Sequence, residues 1–127
     1  MYTLTQKSMV IDQLMLEKDN GQSEILDISL KITPELVRQY RRIQVEMIEA
    51  ERGDKTDPEN VEKVGRLVME VMCLLFGESN TVKILDFYRD DISLALAEVF
   101  PYIQDVIVPK FKAVAKERKK ALRRSAW

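Results

Sequence analysis

The first third of the chain alternates apolar and polar residues with the period of a β-strand. From Leu26 to Ile32 every second residue is apolar and the residues between are polar, so one face of an extended segment is predicted to lie against a core. A second apolar stretch lies upstream, and the Asn20-Gly21 pair between the two stretches favours a tight turn with positive backbone torsions. Together these patterns predict a β-hairpin with strands at about 8–17 and 24–32.

The hairpin needs a further contact, because an isolated two-stranded hairpin is only marginally stable in water. It lies on the helices, joins a third strand formed by residues 2–7, or pairs edge to edge with a second subunit. The sequence leaves these three arrangements open.

From residue 33 onward apolar residues recur every three or four positions, which is typical of amphipathic helices. A Thr-Pro pair at 33–34 and an Asp-Pro pair at 57–58 each combine a capping side chain with a proline suited to the first helical position. Pro101 and Pro109 lack the backbone donor that a helix interior needs, so a bend is predicted near both. The predicted helices lie at about 34–52, 58–76, 80–89, 91–107 and 109–124.

These elements predict an α+β fold, mainly α, in which an N-terminal β-hairpin precedes a bundle of four to five helices. No linker, repeat or low-complexity tract interrupts the chain, so residues 1–127 are predicted to form a single domain. Its parts are a hairpin segment at 1–33 and a helical bundle at 34–127. Gly65, inside the second helix, predicts that a neighbouring element approaches closely there. The predicted core residues are Ile43, Val64, Val68, Met72, Leu75, Leu85, Val99, Phe100 and Ile103.

Composition removes most catalytic chemistry. The chain has no histidine, which is the commonest acid/base group near neutral pH and the commonest metal ligand. Its single cysteine, Cys73, stands among apolar residues, which favours a buried structural thiol. The four glycines are scattered singly, so no phosphate-binding loop is present. The sequence therefore predicts a protein that is not an enzyme and holds no cofactor and no metal.

One acidic set is a candidate cation site, because carboxylates are the ligands of hard cations such as magnesium. Its members are Asp86, Asp90, Asp91 and Glu98. Asp90 and Asp91 also stand where the fourth helix begins and suit a cap. The sequence favours the capping role.

Charge is unevenly distributed along the chain. The net charge is −1, yet residues 109–127 carry eight basic residues and only one acidic residue. Such a basic end marks a candidate contact site for a charged partner, or simply a solvated helix end that complements the helix dipole. The candidate partner contacts are Lys110, Lys112, Lys116, Arg118, Lys119, Lys120, Arg123 and Arg124.

Neither a membrane span nor a leader is expected. The longest uninterrupted apolar run has six residues, 71–76, whereas a transmembrane helix needs about 20. The start of the chain has no basic segment followed by an apolar one, so no signal peptide is predicted.

Four short segments of the second half, in this order and spacing, resemble the tail assembly chaperones of long-tailed bacteriophages and of prophages in low-GC Gram-positive bacteria. The resemblance covers roughly residues 70–118 and consists of packing and capping motifs. The segments are Leu74-Leu75-Phe76-Gly77-Glu78, Ile84-Leu85-Asp86-Phe87-Tyr88, Val99-Phe100-Pro101-Tyr102-Ile103 and Val108-Pro109.

The resemblance implies a non-enzymatic protein that coats the long, largely helical tape measure protein, keeps it soluble and helps tail tube subunits to polymerise around it. It also implies a homo-oligomer in the cytoplasm of the bacterial host. The alternative hypothesis is a small phage regulatory or nucleic-acid-associated protein that uses the basic C-terminal helix. The acidic body and the few aromatic residues of that helix disfavour nucleic acid as a partner.

Overall fold

An antiparallel β-hairpin precedes the helices in the computed structural model, which describes residues 1–4 and 8–125. The fold is α+β and mainly α, as the sequence predicts. The elements are β1 (Met9–Glu17), β2 (Ser23–Lys31), α1 (Pro34–Arg52), α2 (Pro58–Phe76), α3 (Glu78–Phe87), α4 (Ile92–Tyr102), a π-helical turn (Ile103–Ile107) and α5 (Val108–Ser125).

The hairpin lies on the helices, which is the first of the three predicted arrangements. Leu26, Ile28 and Leu30 are buried on one face of β2 and belong to a core that also contains residues of every helix. Of the segment proposed as a third strand, residues 2–4 form no strand and residues 5–7 lie outside the described residues. The sheet formed by the described residues has two strands.

The turn between the strands differs from the predicted one. The backbone N–H of Gly21 donates to the carbonyl of Lys18 at 3.0 Å, and the N–H of Lys18 donates to the carbonyl of Gln22 at 2.8 Å. Gly21 has a φ of 83°, but Asn20 has no positive φ. A three-residue loop therefore forms the turn, and only Gly21 of the predicted Asn20-Gly21 pair has the positive torsion.

The first two helices begin and end as predicted. The Thr33 hydroxyl accepts a hydrogen bond from the backbone N–H of Leu36 at 3.0 Å, and the Asp57 carboxylate accepts one from Glu59 at 3.0 Å. Helix α3 begins two residues earlier than predicted, because Gly77 with a φ of 81° occupies its cap position.

The two late prolines do not end the helical stretch in which they lie. Pro101 lies inside α4, Pro109 lies in the first turn of α5, and the turn between them is π-helical. The N–H of Val108 donates to the carbonyl of Ile103, which is the five-residue spacing of a π-helix. At the predicted position the helix changes to π-helical hydrogen bonding, which accommodates the loss of two backbone donors within eight residues.

Six of the nine predicted core residues are buried, whereas Val64 and Leu85 are half-buried. Phe100 is 47% exposed, so its assignment to the core is wrong. The buried stripe of α4 passes instead through Ala95, Val99 and the following Ile103. Phe100 lies about 100° further around the helix than Val99 and therefore points away from that stripe.

The prediction for Gly65 is also wrong. A β-carbon added at Gly65 would meet no other atom within 4 Å, so no neighbouring element approaches this position. Gly65 has helical torsions and stands in the middle of α2. It therefore contributes flexibility to the unfolded chain without a packing role in the described structure.

We expect Gly65→Ala to raise the free energy of unfolding by about 0.5–1 kcal/mol, because alanine restricts the unfolded chain and fits the open space. Gly77→Ala is the matched control, since its φ of 81° suits glycine alone. It should lower the free energy of unfolding by about 1–3 kcal/mol. Urea unfolding of the three proteins measures both changes, and a destabilising Gly65→Ala would contradict the assignment.

Candidate functional site

The eight basic residues proposed as partner contacts all lie on α5, but they do not form one surface. Lys112, Arg118 and Lys119 line a groove between α5 and α1. Lys116 and Lys120 are exposed and do not line that groove. Successive residues of a helix are separated by 100°, so a dense basic sequence is distributed around the whole circumference.

Arg118 has a structural role within this set. Its guanidinium donates a hydrogen bond to the backbone carbonyl of Ile32 at 2.6 Å. Ile32 follows β2 directly, so Arg118 ties α5 to the junction between the hairpin and α1. Lys110 is half-buried, and Arg123 and Arg124 are exposed in the last turn of the helix.

One member of the acidic set caps helix α4. The Asp91 carboxylate accepts a hydrogen bond from the backbone N–H of Leu94 at 3.1 Å, which is the predicted capping role. Within residues 1–4 and 8–125, no three carboxylate or thiol side chains converge closely enough to hold a metal ion. Cys73 is half-buried instead of fully buried.

An apolar groove lies between α1 and α4, and we name it the α1–α4 groove. It has a volume of about 540 Å³. Its buried lining residues include Ile43, Val71 and Ile103. Phe100 and Ile48 line its walls and are 47% and 46% exposed. Two helical walls with exposed apolar side chains provide a surface on which an apolar stripe of another molecule can pack.

The groove continues beyond α4 toward α5. A second cavity of about 970 Å³ lies between α1 and α5 and shares Tyr40 and Gln44 with the α1–α4 groove. The lining residues of the two cavities extend along α1 from Pro34 to Glu51. The two cavities therefore adjoin each other along one side of α1; we name them together the channel, and the second part the α5 end.

Tyr40 stands where the two parts of the channel meet. Its ring packs edge to face on Phe111 of α5, with 5.4 Å between the ring centroids. Burial raises the pKa of the Tyr40 hydroxyl, and a hydrogen bond from Gln104 partly opposes that effect. Tyr40 is therefore neutral at physiological pH and joins α1 to α5 through ring packing.

Sequence periodicity missed the wall residues of this groove. Phe100 is predicted from the sequence as a core residue, although α4 is apolar on several sides and carries more apolar residues than one core-facing stripe needs. That excess is the signal that could have identified the groove. Ile48 likewise stands outside the buried positions of α1.

The hairpin presents a second exposed apolar surface on the face opposite the core. Ile11, Met15 and Ile25 are each more than half exposed, and Met15 stands directly opposite Ile25 in the strand register. The backbone N–H of Ile32 donates to the carbonyl of Ser8, so the backbone N–H and C=O groups of even-numbered residues in β1 point toward β2. The N–H and C=O groups of odd-numbered residues therefore point outward from β1.

The two edges of the hairpin differ. On the β2 edge the amide of Asn80 in α3 donates to the carbonyl of Asp27 at 2.8 Å. On the β1 edge the only outward donor with a partner among the described residues is the N–H of Gln13, which donates to the Asp12 carboxylate at 2.8 Å. The β1 edge is therefore the more open one for strand pairing.

Asp12 also connects the hairpin to α4. The Tyr102 hydroxyl donates to the second carboxylate oxygen of Asp12 at 3.0 Å. Burial raises the pKa of Tyr102, and the hydrogen bond to Asp12 and the negative charge of Asp12 raise it further.

The helical stretch Ile92–Ser125 is long and apolar enough to cross a membrane, by length and composition. The apolar window within it is 22% buried in the structure. A core helix of a soluble protein meets the same criterion, so the expectation that no segment spans a bilayer stays a prediction. A search for uninterrupted apolar runs does not find this stretch, because Pro101, Tyr102 and Gln104 interrupt its apolar residues.

No protein-family model matches this chain, and searches of curated proteins and of solved structures find no match either.

We expect the stability of the protein to fall as the pH rises above about 10, in part because of Tyr102. The folded chain holds a proton that unfolded tyrosine releases there, so the stabilisation is complete below that pH and is lost as the pH approaches the raised pKa. Tyr102→Phe should therefore show a shallower decline. Urea unfolding at several pH values between about 8 and 11 measures both slopes, and equal slopes would contradict the assignment.

Proposed function

We propose that this protein is a phage or prophage tail assembly chaperone, which binds the tape measure protein and assists assembly of the tail tube without catalytic activity. The observation that carries the proposal is the α1–α4 groove with its exposed Phe100 and Ile48. A long helical client has apolar stripes that are insoluble when unpaired, and a groove with two helical walls suits such a stripe.

The side chains that line the groove also suit reversible binding of a client. Met47 lines the groove and is half-buried, and a methionine side chain repacks at low cost against different apolar partners. Of the other two helix methionines, Met72 is fully buried and Met69 does not line the groove. The adaptable part of the surface is therefore on α1.

The resemblance to tail assembly chaperones supports the proposal from a separate direction. One of the resembling segments, 99–103, lies on α4 and enters the π-helical turn. It supplies Phe100 and Ile103 to the α1–α4 groove. We propose the tail tube protein as a second partner and the cytoplasm of the bacterial host as the location, as the resemblance implies.

Coexpression tests the client-binding function. We expect the protein to keep a long helical tape measure protein in the soluble fraction, and Phe100→Glu to abolish this effect because a buried charge opposes apolar packing. Phe100 is 47% exposed, so Phe100→Glu should change the free energy of unfolding by less than about 1 kcal/mol.

Val82→Glu is the matched control. Val82 is 51% exposed on α3 and does not line the groove, so its charge should leave client solubility unchanged. Equal loss of solubility in both variants, or no solubilisation by the original protein, would contradict the proposed function.

The alternative, a regulatory or nucleic-acid-associated protein, predicts a different response to salt. Exposed Lys116, Lys120 and Arg124 are the residues that would meet phosphates. A complex held by such contacts weakens steeply with salt because bound counterions are released, whereas an apolar complex persists. Binding measured at low and high salt therefore separates the two functions.

We further propose that the protein forms a homo-oligomer through the β1 edge. Two antiparallel copies of β1 centred on Gln13 place Ile11 of one copy opposite Met15 of the other. The outward N–H and C=O groups of both residues are then paired, and their side chains extend the apolar outer face of the hairpin. No like charges stand opposite each other in this register.

Met15→Pro tests the edge pairing, because the N–H of Met15 points away from β2 and its loss leaves the intrachain ladder intact. We expect Met15→Pro to be monomeric by light scattering at concentrations where the original protein associates. Met15→Ala keeps the donor and should still associate. Monomers only, for the original protein across a wide concentration range, would contradict the proposal.

A further inference from the structure

We infer that the channel beside α1 selects an amphipathic helix whose apolar stripe ends in a cluster of acidic residues, and that this cluster occupies the α5 end. The inference rests on the proposed function, since it concerns the same binding surface. It adds the charge pattern and the direction of the bound helix, which follow from the charges along the channel.

The two parts of the channel carry opposite charges. Among the described residues, Glu51 is the only charged one that lines the α1–α4 groove. Within the part of the chain that the structure describes, the α5 end is lined by no acidic residue and by five basic ones, which are Arg38, Arg41, Lys112, Arg118 and Lys119. A concave surface lined by one sign of charge concentrates its electrostatic potential and attracts ligands of the opposite sign.

Three of these cations have neither an ion pair nor a side-chain hydrogen bond within the described residues. Arg38 pairs with Glu35, and Arg118 is engaged with the carbonyl of Ile32. For Arg41, Lys112 and Lys119 no described carboxylate lies within 4.0 Å. Their charges are therefore available to a bound acidic molecule.

The spacing of these groups sets the length of the bound helix. The channel follows α1 from Pro34 to Glu51, a span of roughly 26 Å at 1.5 Å per residue. A bound helix of about 18 residues covers this distance. If its acidic cluster lay at the opposite end of the channel, the cluster would meet Glu51 and lose the basic contacts. The charges of the channel therefore select both the sequence of the bound helix and the direction in which it lies.

Three synthetic helical peptides of about 18 residues test the inference. All share one apolar stripe, and one end carries three Glu, three Gln or three Lys residues. We expect the Glu peptide to bind about tenfold more tightly than the Gln peptide in low-salt buffer, because each exposed ion pair contributes modestly and three act together. Fluorescence anisotropy of labelled peptides measures the affinities.

Charge reversal identifies the site. Arg41→Glu combined with Lys112→Glu should reverse the order of affinities, so that the Lys peptide binds most tightly. Lys116→Glu combined with Lys120→Glu is the matched control, because these exposed residues do not line the channel. It should retain the original order and at least a fivefold preference for the Glu peptide over the Gln peptide.

The outcomes separate the inference from the function on which it rests. Equal binding of the three peptides, abolished by Phe100→Glu, would overturn the charge inference and leave the client-binding function supported. Absence of binding by all three peptides would overturn both. If the two charge-reversal variants changed the peptide affinities equally, the inference would be overturned, since the affinities would then depend on the overall charge of the protein and not on the channel.

Discussion

Burial of α2 is the interaction on which the rest of the structure depends. Helix α2 carries six buried residues, including Met72, which is fully inaccessible. The elements that pack against it are α1, α3, α4 and strand β2. Because apolar burial is the main favourable contribution to folding, a change in the buried face of α2 would affect all four of these elements at once.

This central position also explains why a groove exists. Helices α1 and α4 both pack against α2 more than against each other, so their facing sides are left partly exposed. Val71 of α2 lines the gap between them. The same packing that stabilises the bundle therefore leaves an apolar surface that a further helix can cover, at little cost to the stability of the fold.

The two late prolines determine where the basic residues lie. Pro101 and Pro109 remove two donors from an otherwise continuous helix, and the π-helical turn between them accommodates the loss. Phe111 then packs on Tyr40, and Arg118 reaches the carbonyl of Ile32. This path brings Lys112 and Lys119 beside α1, so that one end of the channel is basic.

The sequence by itself determined the elements of this protein. Alternation between residues 26 and 32 predicts the buried face of β2, and the Thr33-Pro34 and Asp57-Pro58 caps predict the starts of α1 and α2, because these signals act within a few residues. Only the tertiary structure decided which side of an apolar helix is buried. Ala95 is small enough to be enclosed completely, so α4 turns its Ala95 stripe inward and leaves Phe100 outside. The periodicity of the sequence does not predict which apolar side of α4 faces the core, since helix packing depends on the shape of the neighbouring surface. The same applies to α5, because only its contacts with α1 decide which of its basic residues line the channel.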